Sequence, residues 1–167
     1  MPSPNPQPSR TDRPVMPGTY GLQPPEGGSG LMKWDRAREQ LRQAHNYWVA
    51  TTRPDGRPHV MPVWGLWFDD AFWFSTDRRS RKARNLSQNA HVAVHLESGD
   101  DAVIVEGVVE EVTNPARLAQ FVEAYAAKYD VRPDPNDPQN VYYAVRPQTA
   151  FAWFEKDFPN GATRWQF

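Results

Sequence analysis

The sequence predicts a mainly β protein, in which antiparallel strands are flanked by a few α-helices. Several segments rich in Val, Thr, Tyr and Trp are separated by short turns. Those turns are too short to hold the crossover helices that a parallel sheet needs. Apolar residues at helical spacing occur in two other segments, one before the strands and one before the last strand. This order of elements favours a small antiparallel barrel.

The first 30 residues differ in composition from the rest of the chain. They contain 8 of the 17 prolines and 5 of the 10 glycines, and they contain no Trp and no Phe. Such a segment has too little apolar surface to offset the entropy lost on ordering. We therefore expect residues 1–30 to form a flexible arm, or an arm ordered by a partner, and residues 31–167 to form one domain.

Composition also excludes several classes of function. Lys and Arg number 19 against 20 Asp and Glu, so the near-neutral chain has no overall charge for binding nucleic acid or an anionic membrane. The absence of Cys excludes disulfides, thiolate metal sites and Cys nucleophiles. No secretion signal and no apolar run of about 20 residues is present, so we expect a cytoplasmic protein.

The first half of the domain is predicted to be a helix followed by a hairpin. Residues 31–44 have apolar positions three and four apart, which is typical of an amphipathic helix. Pro54, Asp55 and Gly56 form a turn sequence between two β-prone arms. Pro62 in the second arm lacks a backbone donor, so we expect that strand at an edge or at a bulge. Asp69 and Asp70 form a second turn before a strand at 71–76.

The second half continues this pattern. Asp77 or Ser80 could cap a short helix within residues 77–90. Strands are predicted at 91–97 and 102–112, and Gly107 in the second indicates a bulge or a close backbone approach. Further along, we expect a helix at 115–129 capped by Asn114, a loop at 130–141 and a last strand at 149–155.

A basic segment after the 71–76 strand is the main candidate for a binding site. Ser75 and Thr76 end that strand, and Ser80, Arg81 and Lys82 follow it closely. Arg78, Arg79 and Arg84 bring the number of neighbouring cations to five. Hydroxyl groups beside Arg and Lys are what a phosphate group requires. A solvated basic turn is the alternative interpretation.

The spaced combination of these segments resembles the pyridoxamine 5′-phosphate oxidase-like superfamily of flavin and deazaflavin oxidoreductases. The resemblance rests on the hairpin Ala50–Trp64, the segment Phe74–Asn89 with its Ser-Arg-Lys run, the strand HVAVHLE, the strand Val105–Val112 and the ending TRWQF. It implies a six-stranded antiparallel split β-barrel of the FMN-binding type. It also implies a tight homodimer with the cofactor in a groove at the dimer interface.

The resemblance further implies roles for individual residues. Ser80, Arg81 and Lys82 would hold the cofactor phosphate, and Ser75 and Thr76 would contact the same tail. The stretch from His59 to Trp64 would run beside the ring system, with Met61, Pro62 and Val63 nearest to its edge. Trp165 could reach the cofactor groove of the partner subunit. No dedicated catalytic acid or base is identified.

The same comparison bears on the choice of cofactor. Authentic pyridoxamine phosphate oxidases carry an Arg and a Lys on the second strand, whereas this strand reads HVMPVWGLW. The sequence looks more similar to the branch that often uses the deazaflavin coenzyme F420, so we expect F420, with FMN as the alternative. The implied function is hydride transfer between that coenzyme and a small conjugated substrate. A non-catalytic protein that binds or stores a flavin-type cofactor or haem is the alternative.

The remaining aromatic and His residues are given structural roles. We expect Trp48, Trp73 and Trp153 to fill the barrel, and Trp64 and Trp67 to line a pocket or the dimer seam. His91 and His95 are too far apart along a strand to chelate a metal by themselves, and no acidic partner is suitably spaced, so no metal site is predicted.

Overall fold

The computed structural model describes residues 7–24 and 30–167. Within them the strands are β1 (Arg10–Asp12), β2 (Tyr47–Thr52), β3 (Pro58–Val63), β4 (Leu66–Phe68), β5 (Ala71–Asp77), β6 (His91–His95), β7 (Asp101–Glu111), β8 (Asn140–Phe154) and β9 (Thr163–Gln166). The α-helices are α1 (Trp34–Gln43), α2 (Arg81–Leu86), α3 (Pro115–Tyr129) and the single turn α4 (Phe158–Gly161).

All nine described strands belong to one antiparallel sheet. Its main path runs β1-β9-β8-β7-β6-β2-β3, and β5 pairs with β8 on one side and β4 on the other. The mainly β, split-barrel fold class is confirmed. The described residues form nine strands rather than the six expected, and the sheet does not close into a ring.

The two predicted turns lie where the sequence placed them. Gly56 has a φ of 83° and its amide donates to the Arg53 carbonyl, which closes the β2–β3 hairpin. Asp69 and Asp70 both have positive φ values, 50° and 52°, as a two-residue turn between β4 and β5 requires.

The β7–β8 pairing contains the irregularity that Gly107 predicted. The register shifts between Glu106 and Gly107, opposite Pro147 of β8. A Cβ atom at Gly107 would lie 2.1 Å from the Arg146 carbonyl oxygen, so the two backbones approach too closely for any side chain there. Beyond this bulge, β8 begins at Asn140, nine residues earlier than the predicted strand at 149–155.

Two hydrophobic cores lie on opposite faces of β5. Phe72 and Phe74 point into the barrel interior, while Trp73 points outward and stacks on Phe121 of α3. Trp73 is therefore buried outside the barrel, so the expectation that it fills the barrel was wrong. The barrel interior instead holds Trp34, Trp67 and Trp165. Trp48 and Trp153 are only partly buried, so the expectation that they fill the barrel was wrong.

The predicted N-terminal arm is only partly described. Residues 1–6 and 25–29 of that arm lie outside the described residues. In the described part, β1 pairs with β9, and Asp12 accepts two hydrogen bonds from Arg164 at 2.7 and 2.8 Å. These three residues are thus attached to the chain's own last strand.

Candidate functional site

The candidate phosphate-binding segment joins the end of β5 to the start of α2. Ser75 and Thr76 lie at the end of β5, where its buried residues give way to half-buried ones. Ser80 caps α2, because its Oγ accepts a hydrogen bond from the Ala83 amide at 3.1 Å. The Thr76 hydroxyl donates to the same Oγ at 3.1 Å. The structure thus brings Thr76 and Ser80 together, and Ser80 rather than Asp77 is the cap.

The five cations of this segment divide into two groups. Arg78 pairs with Glu111 at 2.6 Å, and Arg79 pairs with Asp77 at 2.9 Å. Arg81, Lys82 and Arg84 form no ion pair with the described residues. Lys82 is half-buried, and its desolvation lowers the pKa of the ammonium group. Positive charge without a carboxylate partner is therefore concentrated on α2.

A buried hydrogen-bond chain connects α2 to the hairpin. Asn85 is fully buried, and its Nδ2 donates to the Thr51 hydroxyl oxygen of β2 at 2.9 Å. That oxygen lies 3.4 Å from Nδ1 of His59 on β3. Oδ1 of Asn85 is also buried and has no hydrogen-bond partner among the described residues. His59 is therefore positioned beside α2 by two polar residues that the sequence analysis did not select.

His59 interacts electrostatically with the same cations. Partial burial is the main cause that lowers the pKa of its imidazole, and the positive charges of Arg53, Lys82 and Arg81 lower it further. His59 therefore shares its electrostatic environment with the cations of α2 and with Arg53.

Arg53 is a further candidate that the sequence analysis missed. It directly follows β2, and its backbone is held in the hairpin turn by hydrogen bonds to Arg57 and Gly56, both 2.9 Å. Its side chain is half-buried and forms no ion pair with the described residues. Beside Pro54, this Arg looked like an ordinary turn residue, and only the fold brings it close to α2.

The predicted ring-binding residues do not share one face of β3. His59, Met61 and Val63 are paired with Thr51, Val49 and Tyr47, on the barrel side of β2. Val63 packs against the barrel core, whereas Met61 is 47% exposed. Pro62 lies on the opposite face, across from Trp48. Because β3 has only β2 as a neighbour in the sheet, Pro62 occupies the edge strand that its missing donor predicted.

Trp64 lies just beyond β3 and has a fixed, partly exposed ring. The indole is 42% exposed and stacks on Tyr129 of α3, with ring centroids 4.8 Å apart and planes 7° apart. Tyr129 is itself fixed, since its hydroxyl donates to the carbonyls of His45 and Gly65. Trp64 can therefore offer a rigid apolar surface to a ligand, whereas Trp67 is buried in the barrel and cannot line a pocket.

Trp165 does not belong to the site. Its side chain is 1% exposed and packs edge-on against Trp34 in the barrel core, with ring centroids 5.2 Å apart. Packing against the chain's own interior leaves no surface of this indole for a ligand, so the expected reach into a partner's groove was wrong.

The outer face of the sheet carries mostly apolar side chains. We use this name for two rows of residues across β3, β2, β6, β7 and β8: Pro62, Trp48, His95, Ile104 and Phe151 in one, and Val60, Ala50, Ala93, Glu106 and Thr149 in the other. A groove of about 360 Å³ crosses it between Ala50, Ala93 and Glu106. The residues that alternate with these, such as Val49 and Val94, are completely buried in the barrel.

The described part of the chain has neither a metal-binding cluster nor a membrane-spanning helix. No group of three or more His, Asp or Glu side chains there is arranged to hold a metal ion. None of the helices in residues 7–24 and 30–167 is long and apolar enough to cross a membrane.

Similar proteins were found among both sequences and solved structures. The pyridoxine/pyridoxamine 5′-phosphate oxidase of Gluconobacter oxydans (strain 621H) is 43% identical over 76 residues, which cover 44% of this chain and 38% of that protein. The match thus spans well under half of the length of that relative.

Three solved structures share the fold. A conserved hypothetical protein of Mycobacterium tuberculosis has a TM-score of 0.67 and 24% identity, covering 76% of this chain and 88% of its own. A structure described as an F420 reductase has a TM-score of 0.57 and 27% identity over 68% of this chain and 94% of its own. The haem storage protein HutZ of Vibrio cholerae has a TM-score of 0.58 and 17% identity, covering 71% of this chain and 90% of its own.

The decisive comparison is with families of sequences. The pattern of the pyridoxamine 5′-phosphate oxidase family matches residues 34–154, which include α1, the hairpin, the segment with Ser80, Arg81 and Lys82, and all of β8. This match covers most of the domain, and the chain therefore belongs to the pyridoxamine 5′-phosphate oxidase-like family of oxidoreductases.

Proposed function

We propose that this protein binds the deazaflavin coenzyme F420, or FMN, and uses it to move a hydride to or from a small conjugated substrate. The observation that carries the proposal is a group of cations without carboxylate partners. Arg81 and Lys82 directly follow Ser80, whose hydroxyl is bonded to that of Thr76, and Arg53 acts together with them on the charge of His59. Uncompensated cations next to hydroxyl groups fit a phosphate group. Below, the name anion cradle is used for Arg53, Thr76, Ser80, Arg81 and Lys82.

In this proposal, the chain binds and orients the coenzyme, and the coenzyme supplies the hydride chemistry. Arg81 and Lys82 neutralise the phosphate, while Ser80, fixed as the α2 cap, and Ser75 offer further contacts to the tail. Met61 and Trp64 present exposed apolar surface near one edge of the expected ring position, and Pro62 lies between them on the other face of β3. The described site has no side chain assigned to move a proton, so we expect solvent to supply it.

The similarity to the structure described as an F420 reductase supports the deazaflavin as the coenzyme. The match to the Gluconobacter oxydans oxidase supports FMN instead. We favour F420 because HVMPVWGLW lacks the cationic residues of authentic pyridoxamine phosphate oxidases. Arg84, which forms no ion pair with the described residues, could contact the polyanionic tail of F420.

We also propose that the outer face is the interface of a homodimer and that the coenzyme lies at its border. The partly exposed side chains of Trp48, Ile104 and Phe151 form an apolar surface larger than scattered single residues would give. Covering it with a second copy would remove these residues from water.

Titration of the purified protein with FMN and with F420, followed by absorbance, tests the coenzyme proposal. We expect tight binding of one of them and a ten- to hundredfold loss in the Lys82→Ala variant, because one charge-assisted contact contributes about 1.5–3 kcal/mol. Arg79→Ala is the matched control, since it removes a neighbouring cation that Asp77 already neutralises. Equal affinities of wild type and Lys82→Ala would contradict the site.

A second titration with haem, and turnover assays, separate the enzyme from the storage alternative. Oxidation of the bound reduced coenzyme by a panel of enones and quinones supports an oxidoreductase. Tight haem binding without reaction of the reduced coenzyme would support a storage protein of the same fold.

A further inference from the structure

His59 is linked to α2, which carries Arg81 and Lys82 of the anion cradle, through Thr51 and Asn85. Its Nδ1 lies 3.4 Å from the Thr51 hydroxyl, which is itself fixed by Asn85 from α2. The ring is half-buried. Because Thr51 engages the Nδ1 side, the Nε2 side is left as the one that could meet a ligand.

The charged groups that act on His59 are all positive. Arg53 follows β2, and Arg81 and Lys82 lie on α2. Thr51, which lies against the ring, and Asn85, which donates to Thr51, are neutral. The described residues contribute no carboxylate to the charge around this ring. Partial burial and the three cations together lower the pKa of His59 below its ordinary value of 6.5, which favours the neutral imidazole when no ligand is bound.

A bound phosphate would change this balance. A dianion beside the ring favours the imidazolium form and offsets the repulsion by the three cations. We propose that His59 acts beside the anion cradle as a protonation-dependent ligand of the coenzyme phosphate. It takes up a proton when the phosphate binds and donates a hydrogen bond to that phosphate. This inference rests on the proposed function, because it requires the phosphate to bind in the anion cradle.

The sign of the pH effect follows from linkage. If binding raises the pKa of His59, the complex holds more protons than the free protein, and affinity falls as the pH rises through the pKa of the bound state. A rise of one unit corresponds to about a tenfold change in affinity across that window. If His59 contacted the phosphate without changing its protonation state, it would add no such pH dependence to the affinity.

Calorimetric titration at pH 7.5 in buffers of different ionisation enthalpy measures the protons taken up. With whichever of FMN and F420 binds, we expect uptake of a measurable fraction of a proton by the wild type and none by His59→Gln. Riboflavin is the matched ligand for FMN, since it lacks the phosphate, and should bind without proton uptake. The affinity of the wild type should fall about tenfold more than that of His59→Gln between pH 6 and pH 8.5.

A second variant separates positioning from folding. Thr51→Val removes the hydroxyl that fixes Nδ1 and should reduce the coupled proton uptake while leaving binding measurable. Coenzyme binding with equal proton uptake in the wild type and His59→Gln would overturn the inference and leave the proposed function intact. Failure of both FMN and F420 to bind the wild type would contradict the proposed function and this inference together.

Discussion

Gly107 is the residue on which the geometry of the long β7–β8 pair depends. Its Cα lies so close to β8 that an added Cβ would be 2.1 Å from the Arg146 carbonyl oxygen and 3.1 Å from a Val145 methyl group. The clash involves backbone, which cannot rotate out of the way as a flexible side chain can. A larger residue at position 107 must therefore separate the two strands.

We expect Gly107→Ala to lower the free energy of unfolding by about 2–4 kcal/mol, because overpacking against backbone is among the most destabilising substitutions. Urea unfolding followed by tryptophan fluorescence measures this. Gly99→Ala is the control, since nothing lies within 4 Å of its added Cβ, and its effect should stay within about 0.5 kcal/mol. Equal stability of the two variants would show that β8 can move away from β7 at little cost.

At the level of elements, α2 combines a structural and a proposed binding role in one side chain. As the cap, Ser80 accepts hydrogen bonds from the Ala83 amide and from the Thr76 hydroxyl, and it directly precedes Arg81 and Lys82 in the chain. An Asp side chain can cap a helix as well as Ser does, but it adds a negative charge. The two roles of Ser80 can therefore be separated by substitution.

We expect Ser80→Asp to keep the free energy of unfolding within about 0.5 kcal/mol of wild type and to weaken coenzyme binding at least about tenfold, because the new carboxylate repels the phosphate. Ser80→Ala should show the opposite pattern: its free energy of unfolding should fall by about 1 kcal/mol, and its coenzyme affinity should fall less than that of Ser80→Asp. Thermal unfolding and coenzyme titration of both variants provide the comparison. Normal coenzyme affinity in Ser80→Asp would place the phosphate elsewhere.

The short strand β1 is attached to β9 by charge as well as by backbone pairing. Arg164 donates two hydrogen bonds to Asp12, and these are the main cause that lowers the pKa of the Asp12 carboxyl group. Arg10 contributes a further contact at 2.8 Å. A carboxyl group with a lowered pKa stabilises the folded state above its unfolded pKa, and this contribution is lost as the pH falls through the folded-state value.

We expect Asp12→Asn to destabilise the protein by about 1 kcal/mol at pH 7, the upper range for a well-oriented pair near the surface. The difference from wild type should shrink as the pH falls below about 3.8, the ordinary value for Asp. Unfolding measured at pH 7, 5 and 3 tests this, with Asp100→Asn as the control. A difference that persists unchanged at pH 3 would exclude the ion pair as its cause.

On the scale of the whole molecule, the proposed dimer depends on the outer face. Ala93 lies near its centre, between Ala50 and Glu106 in one row of residues. A long cation there would disturb the packing of two copies but would point away from the barrel interior. Association and folding can therefore be tested independently.

We expect the wild type to sediment as a dimer at micromolar concentration, and Ala93→Arg to sediment as a folded monomer with weakened coenzyme binding. Gln120→Arg, on an exposed part of α3, is the matched control and should remain dimeric. Circular dichroism verifies that both variants are folded. A monomeric wild type that binds coenzyme tightly would contradict the interface proposal.

Elements with a local chemical signal were predicted well from the sequence. The Pro54–Gly56 turn, the Asn114 cap of α3 and the bulge at Gly107 all depend on residues whose backbone preferences act over a few positions. The first half of β8 was missed because Pro147 interrupts its pattern, and the bulge that accommodates this Pro is formed with a distant strand.

Features that depend on distant contacts were predicted less well. Trp73 and Phe72 are adjacent in sequence, yet they belong to different cores, because only the position of α3 decides what covers the second face of β5. Similarly, Ser80 and Lys82 could be selected from their neighbours in sequence. Arg53, Thr51 and Asn85 could not, because the hairpin and α2 meet only in the folded chain.

The pairing of β8 has a consequence for the order in which the chain can fold during synthesis. This strand pairs with β5, β7 and β9, and its residues contribute to both hydrophobic cores. A nascent chain that ends before Asn140 can form the β2–β3 hairpin and the β6–β7 pair, but it leaves the edges of β5 and β7 open. Such non-local pairing slows folding and exposes strand edges to aggregation. We therefore expect the ribosome-bound protein to need chaperone protection until β8 has emerged.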